Sequence, residues 1–155
     1  MNNMNNVNRT FSRGFTLLEL VIAMVIAAIL VALALPSFMG SIRKGRRSEA
    51  MTALTALQQE AERWRSNNQS YTATLSDLRI TTPTSPGGYY TLAISGNSAT
   101  GYTAIADGSA SSQTDDSTCV KMAVKVDRGA ITYASCRSCA DTDLVFAPSN
   151  VCWSK

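Results

Sequence analysis

The chain has 155 residues, with 14 Lys and Arg against 11 Asp and Glu, and no histidine. That length admits one modest domain with an appendage, not two full domains. The lack of histidine removes the Ser-His-Asp and Cys-His nucleophile pairs and the commonest transition-metal ligand, and a net charge of +3 is too small to mark a nucleic-acid protein by itself.

Residues 1–14, MNNMNNVNRTFSRG, carry Arg9 and Arg13 and no acid. Phe15–Leu35 then reads FTLLELVIAMVIAAILVALAL, in which only Thr16 and Glu19 are polar. At 1.5 Å per residue this run is about 32 Å long, enough to cross a bilayer core. Basic residues before it keep the N-terminus cytoplasmic and send the rest of the chain outward. A cleaved secretory signal would have a shorter apolar core and a small-residue site after it; Pro36-Ser37-Phe38 stands there instead. Glu19 is the odd residue, because a carboxylate inside a span costs roughly 2.5–3.5 kcal/mol and such groups are usually paired. Its alternatives are snorkelling to the headgroups, protonation, or a cation supplied by another molecule.

Arg13-Gly14-Phe15-Thr16-Leu17-Leu18-Glu19, opening the apolar run, resembles the class III signal of type IV prepilins and pseudopilins. The resemblance is dense over residues 13–38 and weak beyond. It implies that 1–14 is a leader cut after Gly14 by a prepilin peptidase, and that Phe15 becomes an N-methylated terminus. It implies an assembly role for Glu19, Pro36 and Phe38. A freshly exposed α-amine is largely cationic near neutral pH, and pairing it with Glu19 of a neighbouring subunit would neutralise two costly charges at once.

Ser41–Arg47 adds Arg43, Lys44, Arg46 and Arg47 just after the span, against the positive-inside preference. The leader and the cysteines described below keep the orientation outward. Gly40 and Gly45 each weaken a helix interior by about 1 kcal/mol and would permit a bend. In Ser48–Arg65, Ala50, Leu54, Leu57, Ala61 and Trp64 recur at three- and four-residue steps, the pattern of an amphipathic helix. Helix is therefore predicted over about 15–66, with 15–40 as the spanning and assembly half and 41–66 as the amphipathic half. Asn67-Asn68 supply its stop.

Residues 67–88 form a polar connection that Tyr71, Leu75 and Leu78 could pin to the domain. Four strands follow, Tyr89–Ser95, Tyr102–Asp107, Cys119–Val126 and Ala130–Ser135, separated by Gly96-Asn97, a Ser-rich stretch Gly108–Ser117 read as solvated, and Asp127-Arg128-Gly129. In the third, Val120, Met122, Val124 and Val126 face one way, and Lys121 and Lys125 the other. The predicted fold is α+β, a long helix packed on a four-stranded antiparallel meander over 89–155. That is the lollipop layout the resemblance implies, with a disulfide-stapled C-terminal region.

All four cysteines, Cys119, Cys136, Cys139 and Cys152, lie near the C-terminus, and an even count in an exported domain reads as two disulfides. Three pairings are open. The resemblance to pilins favours Cys119–Cys152 with Cys136–Cys139. Cys136-Arg137-Ser138-Cys139 lacks the βαβ context of a redox motif, and a zinc knuckle would need a second C-x-x-C. Asp115-Asp116 and Asp141/Asp143 read as solvated loop acids rather than a calcium site. No cofactor, metal site or catalytic residue is expected.

Lys121, Lys125, Arg128, Arg137 and Lys155 make the C-terminal segment basic. The plain reading is a solvated sheet face. The sharper one is a DNA-contacting stripe, as in the DNA-uptake receptors among minor pilins that this chain resembles in its extra disulfide. The expectation from all of this is a non-enzymatic subunit of a type IV pilus, supporting adhesion, twitching motility or DNA uptake. It would sit in the inner membrane as a precursor and on the cell surface once polymerised. Its partners would be other pilin subunits, the prepilin peptidase, the inner-membrane assembly machinery and, in the sharper reading, DNA. The alternatives are a minor pilin receptor using Lys121, Lys125 and Arg128, a type II secretion pseudopilin, and a single-pass anchored periplasmic binding domain.

Overall fold

A computed structural model describes residues 14–153, apart from the side chains of Pro36 and Ser37. The expected leader up to Arg13, and the tail cation Lys155, lie outside the described residues. The chain divides into two compact units, Met1–Met39 and Gly40–Lys155. Helix α1 runs Leu17–Asn67 without a break at Gly40 or Gly45. Its tail is closed by asparagines: Asn67 Nδ2 donates to the Arg63 carbonyl at 3.1 Å and Asn68 Nδ2 to that of Trp64 at 2.8 Å.

In the first unit the helix is apolar all round and exposed, from Leu17 and Leu18 through Leu35 to Phe38. It is long and apolar enough to cross a membrane. In the second unit one stripe of the same helix, Ala50, Ala53, Leu54, Leu57 and Ala61, is buried. The alanine and leucine side chains of this stripe pack into the core against the sheet. Leu54 and Leu57 each gain about 1.5–3 kcal/mol by leaving water.

The sheet consists of β1 Thr91–Ser95, β2 Gly101–Asp107, β3 Lys121–Asp127 and β4 Ala130–Cys136, an antiparallel meander in that spatial order. Its inner face gives Leu92, Ile94, Tyr102, Ala104, Ala106, Met122, Val124 and Val126 to the helix stripe. Tyr71 and Leu78 join this core from the 67–88 connection, with Leu75 and Ile80 against it. The β3–β4 turn places Arg128 and Gly129 at φ 48° and 82°, the doubly left-handed geometry of a two-residue hairpin turn.

Several expectations are corrected, beginning with Tyr89 and Tyr90, which precede β1 instead of starting it, the Tyr90 amide being held by the Ser85 hydroxyl at 3.2 Å. Cys119 and Val120 precede β3 instead of starting it, because the Cys119 amide is held by Asp116 Oδ1 at 3.1 Å outside the ladder. The outer sheet face is not simply solvated. The row Ile105, Ala123, Ala134 is buried under Leu144, with Cys136, Cys139 and Phe146 packed alongside. The covering segment includes a 3-10 turn, Asp141–Asp143, and returns to the β4 edge where Tyr133 and Ala147 exchange hydrogen bonds of 2.8 and 2.9 Å.

Candidate functional site

At the N-terminal end, Gly14, Phe15 and Thr16 precede the helix. The Thr16 hydroxyl accepts the Glu19 amide at 3.2 Å, which makes Thr16 the N-cap and satisfies one of the open amides of the first turn. Phe15 and Phe38 are exposed. Glu19 is exposed too, and it makes no ion pair among the described residues. Pro36 lies within α1 by its backbone.

The basic residues after the span do more than flank it. Arg47 forms a two-point ion pair with Asp116, Nε to Oδ2 at 2.6 Å and Nη2 to Oδ1 at 2.7 Å. Asp116 is fully buried and also accepts Gln113 Nε2 at 2.9 Å and the amides of Thr118 and Cys119. Burial alone would push its carboxyl up; the Arg47 guanidinium and the two amides outweigh that and hold it below the usual aspartate range. Arg46 lies 4.4 Å over the Tyr89 ring and donates to the Ser112 carbonyl at 3.2 Å. The Gly108–Ser117 stretch, read from sequence as a solvated loop with Asp116 among its free acids, is thus clamped to the helix, with Gln113 and Asp116 buried.

The four cations of the expected stripe are not equivalent. Lys121 is only 13% exposed; its ammonium sits 3.1 Å from Asp107 Oδ2 and 2.6 Å from Asp141 Oδ1, and it donates to the Cys139 carbonyl at 3.2 Å. Burial lowers its pKa, but the two carboxylates raise it further, so the net shift is upward. This corrects the placement of Lys121 on an open basic face and of Asp141 as an unengaged loop acid. Lys125 is exposed, 5.8 Å over the Phe146 ring. Arg128 stands on the β3–β4 turn with its side chain 82% exposed, 3.7 Å from Asp127. Arg137 is exposed between the two cysteines of the short bridge.

The disulfides are Cys119–Cys152 and Cys136–Cys139. The first ties the entry of β3 to the C-terminal segment across 33 positions, worth roughly 3–4 kcal/mol in the chain-entropy account. Among the described residues no group of three or more Cys, Asp or Glu is placed to hold a metal ion.

Sequence reasoning missed Arg46, Arg47, Gln113 and Asp116 as structural partners. Asp116-Ser117-Thr118 did carry the local sign of an Asx turn, realised here by the Thr118 amide on Asp116 Oδ1 at 3.2 Å. A partner 69 positions away has no such local sign.

Residues 36–123 match the family described as "Type IV minor pilin ComP, DNA uptake sequence receptor". Residues 9–35 match the prokaryotic N-terminal methylation motif. Among curated relatives, the type II secretion system core protein G of Dickeya chrysanthemi is 33% identical over 82 residues, covering 50% of this chain and 54% of its own. That of Klebsiella michiganensis is 34% identical over 82 residues, covering 52% and 58%. That of Escherichia coli is 33% identical over 76 residues, covering 48% and 52%. The chain thus spans about half the length of the curated relatives it matches.

Proposed function

We propose that this chain, which belongs to the family of type IV minor pilins described as ComP, DNA uptake sequence receptor, acts as a structural subunit of a bacterial type IV pilus and catalyses no reaction of its own. In this reading the precursor sits in the inner membrane through the apolar part of α1. A prepilin peptidase cuts after Gly14, Phe15 is methylated, and the assembly machinery moves the subunit into a surface filament beside other pilins. The apolar helix leaves lipid only for an equally apolar filament core. Glu19 sets the register there by accepting the α-amine of a neighbour, since leaving either charge alone in such a core costs roughly 3–5 kcal/mol. Thr16, as N-cap, starts the helix one residue after the new terminus.

The observation that carries the reading is the methylation motif over 9–35 running directly into an exposed apolar helix whose first turn holds Glu19. Mass spectrometry of sheared surface filaments tests it. The expected N-terminal peptide begins at methylated Phe15; filaments carrying an intact leader, or lacking the protein, would overturn it. A Glu19→Ala chain should be processed normally yet fail to enter filaments.

The family description supports DNA as a partner of the exposed domain. Lys125 and Arg128, exposed on the outer face and its adjoining turn, are the cations we assign to phosphate contacts, with Arg137 nearby in sequence and Lys121 withheld by its carboxylates. Contacts of this kind are salt-sensitive and weakly selective. A second reading, a type II secretion pseudopilin, draws on the likeness to core protein G. It predicts that deleting the chain abolishes protein secretion while leaving DNA uptake intact.

A further inference from the structure

The two disulfides differ in the properties that govern thiol exchange. Cys119 and Cys152 are buried, at 0% and 2% exposure, and join positions 33 apart. Cys136 and Cys139 are half-buried and join positions three apart. A bridge that closes a long loop removes much freedom from the unfolded chain and, when buried, offers no sulfur to an incoming thiolate. A short, half-buried bridge has less of both protections.

The short bridge also occupies a mechanical position. Cys136 ends β4, and Cys139 begins a strap, residues 139–147, that folds back over the outer sheet face. The strap buries Leu144 on the row Ile105, Ala123, Ala134. Its Asp141 side chain and Cys139 carbonyl are held by Lys121, and Ala147 pairs with Tyr133 on β4. The bridge fixes the strap's starting point at the end of the strand it covers.

We propose that Cys136–Cys139 is a thiol-exchange site that locks this strap, opened by a dithiol reductant while Cys119–Cys152 stays closed. A thiolate of the reductant bonds to one of the two cysteine sulfurs. The S–S bond breaks, its electron pair leaves on the other cysteine sulfur, and that sulfur takes a proton from water. The reductant's second thiol, deprotonated, then displaces the bound cysteine, which is protonated in turn. Two electrons pass to the bridge, and the reductant departs as a cyclic disulfide. The strap then keeps Leu144 and Phe146, the Lys121 contacts with Asp141 and the Cys139 carbonyl, and the Tyr133–Ala147 bonds, but loses its covalent anchor, so the apolar row beneath it is uncovered more often.

The test treats the full-length protein, in detergent and without denaturant, with graded dithiothreitol, then alkylates it and maps the peptides by mass. Cys136 and Cys139 should be labelled at a concentration at least tenfold below that needed for Cys119 and Cys152. Amide exchange at Tyr133 and Ala147 should accelerate at least tenfold at that point, with the β3 amides of Met122 and Val124 unchanged. Labelling of both pairs together, or in the reverse order, would overturn the exchange site. Selective labelling with unaltered exchange at Tyr133 and Ala147 would overturn the lock. A Cys136→Ser/Cys139→Ser chain should show the same faster exchange with no reductant present; exchange at the wild-type rate in that variant would also overturn the lock.

Discussion

Arg47 and Asp116, 69 positions apart in sequence, meet through two hydrogen bonds of 2.6 and 2.7 Å that fasten the β2–β3 connection to the helix. Removing the acid strands a half-buried guanidinium, two amides and the Gln113 side chain. Asp116→Ala should therefore lower unfolding stability by about 3–5 kcal/mol, read as a shift of the urea midpoint. The pH dependence has a definite sign. The native carboxyl titrates below its ordinary value, so its contribution is complete above about pH 4 and is lost as pH falls through the lower native value. The wild-type midpoint should drop more between pH 6 and pH 3 than that of Asp116→Asn.

The alkaline limb has the opposite cause. Tyr90 is buried, its hydroxyl donating to the Cys119 carbonyl at 3.4 Å. Burial, reinforced by the nearby Asp116 charge, pushes its pKa up to about 12. A raised acid contributes stability that is whole below about pH 10 and is lost as pH rises toward the native value. Urea midpoints should therefore fall between pH 10 and pH 12, and Tyr90→Phe should flatten that fall.

How much of this was legible in sequence depends on whether the cause was local. The apolar run from Phe15 and the stripe Ala50, Leu54, Leu57, Ala61 are periodic signals, and α1 begins and ends within two residues of where they put it. The alternation in β3 placed Met122, Val124 and Val126 in the core correctly. It misread the other face, because Ala123 looks neutral in the pattern and Leu144, which buries it, arrives from a segment with no periodicity. Lys121 followed the same rule into error: its cross-strand neighbours Asp107 and Cys136 are set by register, and Asp141 by the strap. Long-range pairing of polar groups leaves no trace in a window of a dozen residues.

The division among the cations separates the proposed DNA contacts from structural pairing. Lys125→Ala/Arg128→Ala should weaken binding to duplex DNA about tenfold near 100 mM salt and make the slope of log affinity against log salt shallower by about two. It should leave the urea midpoint almost unchanged, since both side chains are exposed. Lys121→Ala should do the reverse. It leaves Asp107 and Asp141 without their shared ammonium, lowers the midpoint and barely alters the salt slope. Filter retention across a salt series, with denaturation of each variant alongside, reads both quantities. Equal loss of affinity in the two variants would return Lys121 to the contact surface.

Gly101 opens β2 where that strand crosses the end of β3, paired with Asp127. A Cβ built there would overlap the Val126 carbonyl oxygen and lie 3.1 Å from the Asp127 Cα. Both obstacles are backbone, so no side-chain rotation relieves them. The neighbouring contacts resist a shift as well, because Arg128 donates its amide to the Thr100 carbonyl at 2.8 Å and Ser98 to that of Gly101 at 2.9 Å. Gly101→Ala should therefore cost about 1–3 kcal/mol through overpacking, although alanine at an unstrained site normally stabilises by about 0.4–1 kcal/mol. The urea midpoint gives the sign. Amide exchange localises the effect, which should appear first at Tyr102 and Val126, the next pair along the β2–β3 ladder, with the helix amides of Leu54 and Leu57 protected until global unfolding.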